Sequence, residues 1–179
     1  ARLGHGSRTV PGANGGAPRR FPSVEPAADL TQLVAREAVR DLVARYTWAG
    51  DGGRSAELAG LFQTHGVLDV GEHGGRWEGR AEIEAQLQAV TSRVAAAGVA
   101  PGPVRHHVSS LVIDVTSPTS ATASSYFLVL TAVGVDHWGR YRDRVEVDPA
   151  DGAWRFAERR VRVDGSSPSS LMVAPAGPA

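Results

Sequence analysis

The apolar residues of this chain change their spacing near residue 104, and this change constrains the fold more than any other feature. From about residue 30 to 97 they recur at three- and four-residue steps, the spacing of amphipathic helices. From about 104 to 163, strand-forming runs are separated by Ser-Pro, Gly and Asp-Gly turn signals. Helices that precede an antiparallel meander gather on one side of it, so we expect an α+β domain.

The pattern predicts three helices and two short strands before a four-stranded meander. The first helix starts after Asp29, carries the stripe Leu30, Leu33, Val34, Ala38, Leu42 and Tyr46, and ends at the glycines of 50–53. The other predicted segments are helices 55–62 and 80–97 and strands 67–70, 76–78, 104–115, 119–133, 138–147 and 153–163. Long curved strands around a helix leave a cone that is open at one end, with an enclosed apolar pocket.

Both ends of the chain differ in composition from its middle. Residues 1–27 mix Gly, Pro, Arg and Ser with almost no large apolar side chain, and 166–179 have a similar bias. We therefore predict two disordered tails around one working domain, 28–165. With 42% apolar residues, the chain can bury a continuous core.

Composition excludes several classes of function. Nineteen basic residues balance nineteen acidic ones, so no overall field favours nucleic acid or an anionic membrane. All the basic residues are arginine, which excludes Schiff-base lysine chemistry, and the absence of cysteine excludes thiol nucleophiles and thiolate metal sites. Without an apolar membrane span or a signal peptide, the expected protein is cytoplasmic and its partner a small hydrophobic molecule.

Several short motifs occur in the order found in a known family. They are Tyr46 with Asp51 five residues later, Trp77-Glu78-Gly79-Arg80, Arg105-His106-His107, Gly139-Arg140-Tyr141-Arg142-Asp143, and Asp151-Gly152-Ala153-Trp154-Arg155-Phe156. Over about 30–164 the chain resembles the SnoaL-like branch of the NTF2-like superfamily. The resemblance implies a cone-shaped, cystatin-like fold with a curved antiparallel sheet wrapped around three N-terminal helices, and a homodimer.

The chain departs from the family pattern at two positions. Arg54 stands where similar chains usually have a second acidic residue, and His65 stands where they often have another acid. The family includes ketosteroid isomerases, dehydratases, polyketide cyclases, epoxide hydrolases and members without known catalysis. Membership therefore leaves the reaction open.

Three residues are candidates for catalysis. Tyr46 lies on the apolar stripe, so its hydroxyl can donate to a developing oxyanion or simply be a core phenol with a polar partner. Asp51 follows the first helix, where a carboxylate usually caps the backbone. The resemblance implies instead that it works in the cavity with a histidine.

Two adjacent histidines must point to opposite faces of their strand. His106 would share a face with Val108, Ser110 and Val112, and His107 with Leu111 and Ile113. The resemblance makes His106 the inward one, either as a proton-transfer group or as a structural residue.

Further side chains are predicted to line the pocket or to pack it. The residues predicted to line the substrate site are Phe62, Trp77, Val108, Ser110, Phe127, Trp138 and Tyr141. Asp143 either contributes a carboxylate to the pocket or joins an ion network on the sheet surface with Arg105, Arg159 or Arg160, and the second alternative is favoured. No metal and no cofactor are expected, because helical His-x-x-x-His geometry, a dinucleotide fingerprint and a P-loop are all missing.

Two functions of different classes fit these observations. One is a cofactor-independent lyase, isomerase or cyclase for a polyketide-, terpenoid- or steroid-like molecule, in which His106 and Asp51 move a proton and Tyr46 stabilises the resulting oxygen anion. A cyclase that acts by shape alone is a variant. The other is a binding or assembly module without catalysis.

Overall fold

The computed structural model describes residues 30–72, 74–96 and 103–173. The elements follow the predicted order, and their bounds are α1 (Leu30–Asp51), α2 (Ser55–Gly60), β1 (Phe62–Gly71), β2 (Gly75–Glu78), α3 (Arg80–Ala96), β3 (Arg105–Ser117), β4 (Ser120–Thr131), β5 (Gly134–Val147) and β6 (Trp154–Ser166). The α+β prediction is confirmed. The predicted N-terminal tail lies outside the described residues.

Within the described residues, six strands form one sheet in the order β2-β1-β6-β5-β4-β3. The strands β3 to β6 are the predicted antiparallel meander, and β1 joins it in parallel beside β6. The inner face of the sheet, as we call it, packs against the helices and carries fully buried side chains such as Val129 and Val145. Functional side chains on this face are therefore enclosed between the sheet and α1.

The buried side of α1 differs from the predicted stripe. Leu30, Leu33 and Val34 are 72%, 52% and 60% exposed, whereas Val39 and Val43 are buried. The spacing of apolar residues in the first turns is compatible with burial of either side of the helix, and contacts with the sheet determine which side is buried. One such contact is the 2.6 Å hydrogen bond that Arg36 Nη1 donates to the carbonyl oxygen of Ile113.

Phe62, which was predicted to end a helix, begins β1 instead. Helix α2 ends at Gly60, and Phe62 pairs with Phe156 of β6. Both rings are fully buried, with centroids 5.3 Å apart. Burial against β6 therefore overrides the local helical pattern.

A β-bulge interrupts the alternation of β3. Its register with β4 shifts between Ser109 and Val112, and Ser110 takes a φ of 53°, in the left-handed region. An extra residue in one strand reverses which residues face inward beyond it. The inner face therefore carries Val108 before the bulge and the buried Ile113 after it.

The chain stays attached to the sheet beyond β6. The N–H of Ser167 donates to the carbonyl oxygen of Asp136 at 2.7 Å, and Ser170 and Leu171 donate to the Asp136 carboxylate. Val173 is 8% exposed. Residues 167–173, which follow the predicted boundary at 165, thus remain in contact with the sheet; 174–179 lie outside the described residues.

Candidate active site

The inner face brings Asp51 and His106 together. Asp51 is the last residue of α1 and His106 the second residue of β3. Oδ1 of Asp51 lies 2.6 Å from Nδ1 of His106, and the main-chain N–H of His106 donates to the same carboxylate at 3.1 and 3.2 Å. The side chains are 12% and 18% exposed, so the pair is largely buried but reachable.

This contact determines how the imidazole is oriented. An ionised carboxylate can only accept hydrogen bonds, so the proton in this contact belongs to Nδ1 of His106. In the neutral ring, the other nitrogen, Nε2, then carries the lone pair. The turn after α1 is closed by other groups, since the N–H groups of Gly52, Gly53 and Arg54 bond to main-chain carbonyls. The Asp51 carboxylate thus accepts its hydrogen bonds from His106 of β3. It does not cap the N–H groups of the turn after α1.

Tyr46 lies one and a half helical turns before Asp51, among aromatic rings. Its ring meets those of Phe62, Tyr141 and Phe156 edge-on, at centroid distances of 6.3, 6.1 and 5.7 Å. Burial raises the pKa of the Tyr46 hydroxyl and also that of Tyr141. Both phenols are therefore neutral hydrogen-bond donors at physiological pH.

A buried ion pair lies beside these tyrosines. Arg159 donates from Nε and Nη2 to the two carboxylate oxygens of Asp143, at 2.8 and 2.7 Å, and both side chains are 0% exposed. Burial acts to lower the pKa of Arg159, but the charge and hydrogen bonds of Asp143 hold it above its usual value. Arg159 is the predicted partner, but the prediction of a surface network is wrong, because the pair lies in the interior.

The guanidinium of Arg159 stacks against three rings. Its Cζ lies 4.1, 4.3 and 4.2 Å from the ring centroids of Tyr46, Tyr141 and Phe156. Within the described ranges, Nη1 of Arg159 has no hydrogen-bond partner. A cation at this distance acts to lower the pKa of Tyr46, so it favours negative charge at or near that hydroxyl.

Most of the residues predicted to line the site lie in the interior. Phe127 stacks on Tyr141 with centroids 4.6 Å apart, and both are 3% exposed. Val108 is partly buried opposite Phe127, and Trp77 of β2 packs against the core from the other edge of the sheet. The rings of Phe62 and Phe127 thus form part of the core near Tyr46 and Tyr141.

Two predicted lining residues do not face the interior. Ser110 is exposed at the β3 bulge, where the alternation on which its assignment depended breaks down. Trp138 is 41% exposed and alternates with the buried His137 and Gly139, so it lies on the outer face. Gly139 is required there, because a Cβ would lie 2.1 Å from the carbonyl oxygen of Arg162 and 2.8 Å from the Phe127 ring.

Sequence reasoning missed Arg159, Asp136 and His137 as residues of the interior. Arg159 lies in the run Arg159-Arg160, which resembles a solvated strand face, and only a β-bulge near Ala157 turns it inward. Asp136 and His137 could have been found from the sequence, because an acid next to a histidine can form the imidazole–carboxylate pair that recurs in proton-transfer sites.

A separate cleft of about 320 Å³ lies outside this interior. It is lined by Ala38, Asp41, Leu42, Arg45, Gly60, Leu61, Ala153, Trp154 and Arg155. Its charges are already paired, Arg45 with Asp41 and Arg155 with Asp148 and Asp151. The cleft contains none of the predicted site residues.

The described residues contain neither a cluster of metal ligands nor a membrane-spanning helix. Across 30–72, 74–96 and 103–173, no three His, Asp or Glu side chains cluster as metal ligands would. In the same part of the chain, no helix has the length and apolar character needed to cross a bilayer.

The fold and the site define an α+β protein with an Asp–His pair held inside a curved sheet. Residues 31–160 match the family model of the SnoaL-like domain, and the chain belongs to that family. A search of curated proteins gives no significant match.

Solved structures agree with this assignment. An NTF2-like protein with a cystatin-like fold from Novosphingobium aromaticivorans is 26% identical, with a TM-score of 0.62 over 83% of this chain and 99% of that one. A protein from Catenulispora acidiphila, solved in complex with S-DNPA, is 28% identical, with a TM-score of 0.63 over 74% and 96%. The predicted NTF2-like fold is thereby confirmed.

A further similar structure is a putative scytalone dehydratase from Novosphingobium aromaticivorans. It is 24% identical, with a TM-score of 0.65 over 83% of this chain and 97% of that one. At this identity the likeness concerns the fold.

Proposed function

We propose that the protein is a cofactor-independent lyase, isomerase or cyclase that moves a proton on a hydrophobic polyketide-, terpenoid- or steroid-like molecule. The observation that carries this proposal is the 2.6 Å contact between the Asp51 carboxylate and Nδ1 of His106. A histidine held in this way presents the lone pair of Nε2 as a general base.

The surroundings of the pair supply what an enolate-forming reaction needs. Nε2 of His106 takes a proton from a carbon next to an activating carbonyl, and the negative charge develops on the carbonyl oxygen. The neutral hydroxyl of Tyr46 donates to that oxygen, and the buried cation of Arg159, 4.1 Å from the Tyr46 ring centroid, favours the charge. Aromatic and aliphatic side chains of the inner face suit a hydrophobic substrate.

The family and one similar structure support a small-molecule site. The resemblance to SnoaL-like proteins implies a dehydratase, isomerase or cyclase, and the Catenulispora acidiphila protein was solved in complex with S-DNPA. Dehydration, one of the reactions that the resemblance implies, is the first reaction to assay.

A binding module without catalysis is the second candidate, favoured by Arg54 standing where related chains have an acid. Native mass spectrometry of protein from its original host would identify a co-purifying molecule. The wild-type protein and His106→Ala are then compared for affinity and turnover of that molecule. Lost turnover with retained affinity supports the enzyme, whereas wild-type binding without turnover supports the binder.

A further inference from the structure

A second carboxylate–imidazole pair, Asp136 and His137, lies on the inner face of the sheet. Val135 pairs with Leu130 and His137 with Val129, so Asp136 is the extra residue of a bulge in β5. A bulge lets neighbouring side chains point to the same side of a strand. Nδ1 of His137 lies 2.8 Å from Oδ1 of Asp136, and the two residues are 7% and 0% exposed.

His137 lies in one row with His106. Val129 is the cross-strand partner of His106 in β3 and also of His137 in β5. Directly opposite residues share a face, and Val129 is fully buried on the inner one. Since neighbouring strands lie about 4.8 Å apart, the Cα atoms of the two histidines are separated by about 10 Å.

Ring contacts place His137 near the proposed site. Its ring meets Phe127 edge-on at 5.8 Å, and Phe127 stacks on Tyr141 at 4.6 Å. Tyr141 in turn contacts Tyr46 at 6.1 Å. A continuous group of side chains therefore connects His137 with the phenol that we assign to the developing oxyanion.

Asp136 is held in place from several directions. Its carboxylate accepts hydrogen bonds from Ser170 Oγ at 2.6 Å, the N–H of Leu171 at 2.8 Å and Thr131 Oγ1 at 3.1 Å. Burial acts to raise its pKa, but these donors and His137 together hold the pKa below its usual value. Asp136 thus remains ionised and orients His137 as Asp51 orients His106.

We propose that His137 is the proton donor that complements His106 in a β-elimination of water. This assignment rests on the proposed function and makes it more specific. Nε2 of His106 takes the proton next to the carbonyl, the C–H electrons form the new C=C bond, and the C–O bond to the leaving hydroxyl breaks. Protonated His137 gives its proton to that hydroxyl, which leaves as water. Proton transfer through solvent from His106 back to His137 restores the starting state.

Two ketones that yield the same product separate the roles of the histidines. 3-Hydroxy-1,3-diphenylpropan-1-one must lose water and therefore needs an acid, whereas 3-chloro-1,3-diphenylpropan-1-one loses chloride without one. Both give chalcone, which is followed by its absorbance. In His137→Asn, the amide N–H can still donate to Asp136 from the position of Nδ1, so the hydrogen bond is kept and the donor Nε2 is removed.

We expect His137→Asn to lower kcat about 10²-fold or more on the hydroxy ketone and to change it little on the chloro ketone. His106→Asn should lose activity on both ketones, because both need the base. His107→Asn, on the exposed side of β3, is the matched control and should resemble wild type on both.

Other outcomes overturn the assignment. Equal losses on the two ketones in His137→Asn would show that the pair only holds the structure, and no loss on either would remove His137 from the reaction. If thermal unfolding shows that this variant does not fold, Asp136→Asn is tested for the same selective loss. A wild-type protein that eliminates from neither ketone contradicts the proposed β-elimination itself, an outcome distinct from a failure of His137 alone.

Discussion

Nδ1 of His106 lies 2.6 Å from Oδ1 of Asp51, although 55 residues separate them in the chain. We predict that Asp51→Asn lowers kcat about 10²-fold or more, because a neutral amide stabilises an imidazolium poorly. The measurement is kcat on the identified substrate, with thermal unfolding as a check on the fold. His107→Ala should keep full activity, and an inactive His107→Ala beside an active His106→Ala would contradict the assignment.

Tyr46→Phe should lower kcat/KM by about 1.5 to 3 kcal/mol of transition-state stabilisation, the worth of one hydrogen bond to an anion. The ring contacts with Phe62, Tyr141 and Phe156 remain in this variant, so the unfolding temperature should change little. Unchanged kcat/KM would show that Tyr46 is a core residue only.

Removing one partner of the Asp143–Arg159 pair should strongly destabilise the protein. Both side chains are 0% exposed, so Arg159→Met leaves a carboxylate buried without its cation, at a cost of about 3 to 5 kcal/mol. The double variant Asp143→Leu with Arg159→Met should recover much of that loss. Urea unfolding of the single and double variants measures this, and equal losses in both would argue against an effect of unpaired charge.

Residues 167–173 should contribute to stability through Asp136. Ser170→Ala removes the 2.6 Å hydrogen bond to this buried carboxylate and should lower the free energy of unfolding by about 1.5 to 3 kcal/mol. Ser169→Ala is the matched control, since Ser169 is exposed and its hydroxyl bonds only to that of Ser167 among described residues. Truncation after Ser166 should cost more, because it removes every donor from this segment.

The effect of Ser170→Ala should depend on pH. The pKa of Asp136 is lowered in the folded protein, so its stabilisation is fully present above the unfolded pKa of about 3.9 and is lost as pH falls through the folded value. The difference between the variant and wild type should therefore shrink in acid. Unfolding free energies at neutral pH and below pH 4 test this.

The outer face of the sheet should mediate a homodimer. Tyr126 and Trp138 are 55% and 41% exposed, and Leu128 lies beside both through its register with Trp138. An exposed apolar patch of this kind typically marks an interface. Sedimentation equilibrium should give a dimer for wild type and a monomer for Tyr126→Arg with Trp138→Arg, whereas Leu33→Arg on α1 should stay dimeric. A monomeric wild type contradicts this prediction.

Predictions made from local periodicity agree with the structure where the burial of a residue depends only on its position within its own helix or strand. The order of helices and strands is one case, and the inward direction of Phe127 and Tyr141 on alternating strands is another. The predictions were wrong at Ser110 and Leu33, where a bulge or the choice of helix face depends on distant partners.

The sequence by itself determined the α+β class and the family, because helical spacing, strand alternation and motif order are properties of neighbouring positions. It also predicted Tyr46, Asp51 and His106 as candidate site residues. Only the tertiary structure placed Arg159 and His137 in the interior. Both lie next to bulges. Arg159 is buried with the charge of Asp143 and His137 with that of Asp136, and Asp136 also accepts hydrogen bonds from Thr131, Ser170 and Leu171. Such pairing is a property of the folded chain, since a buried charge is tolerated only where its partner is brought to it.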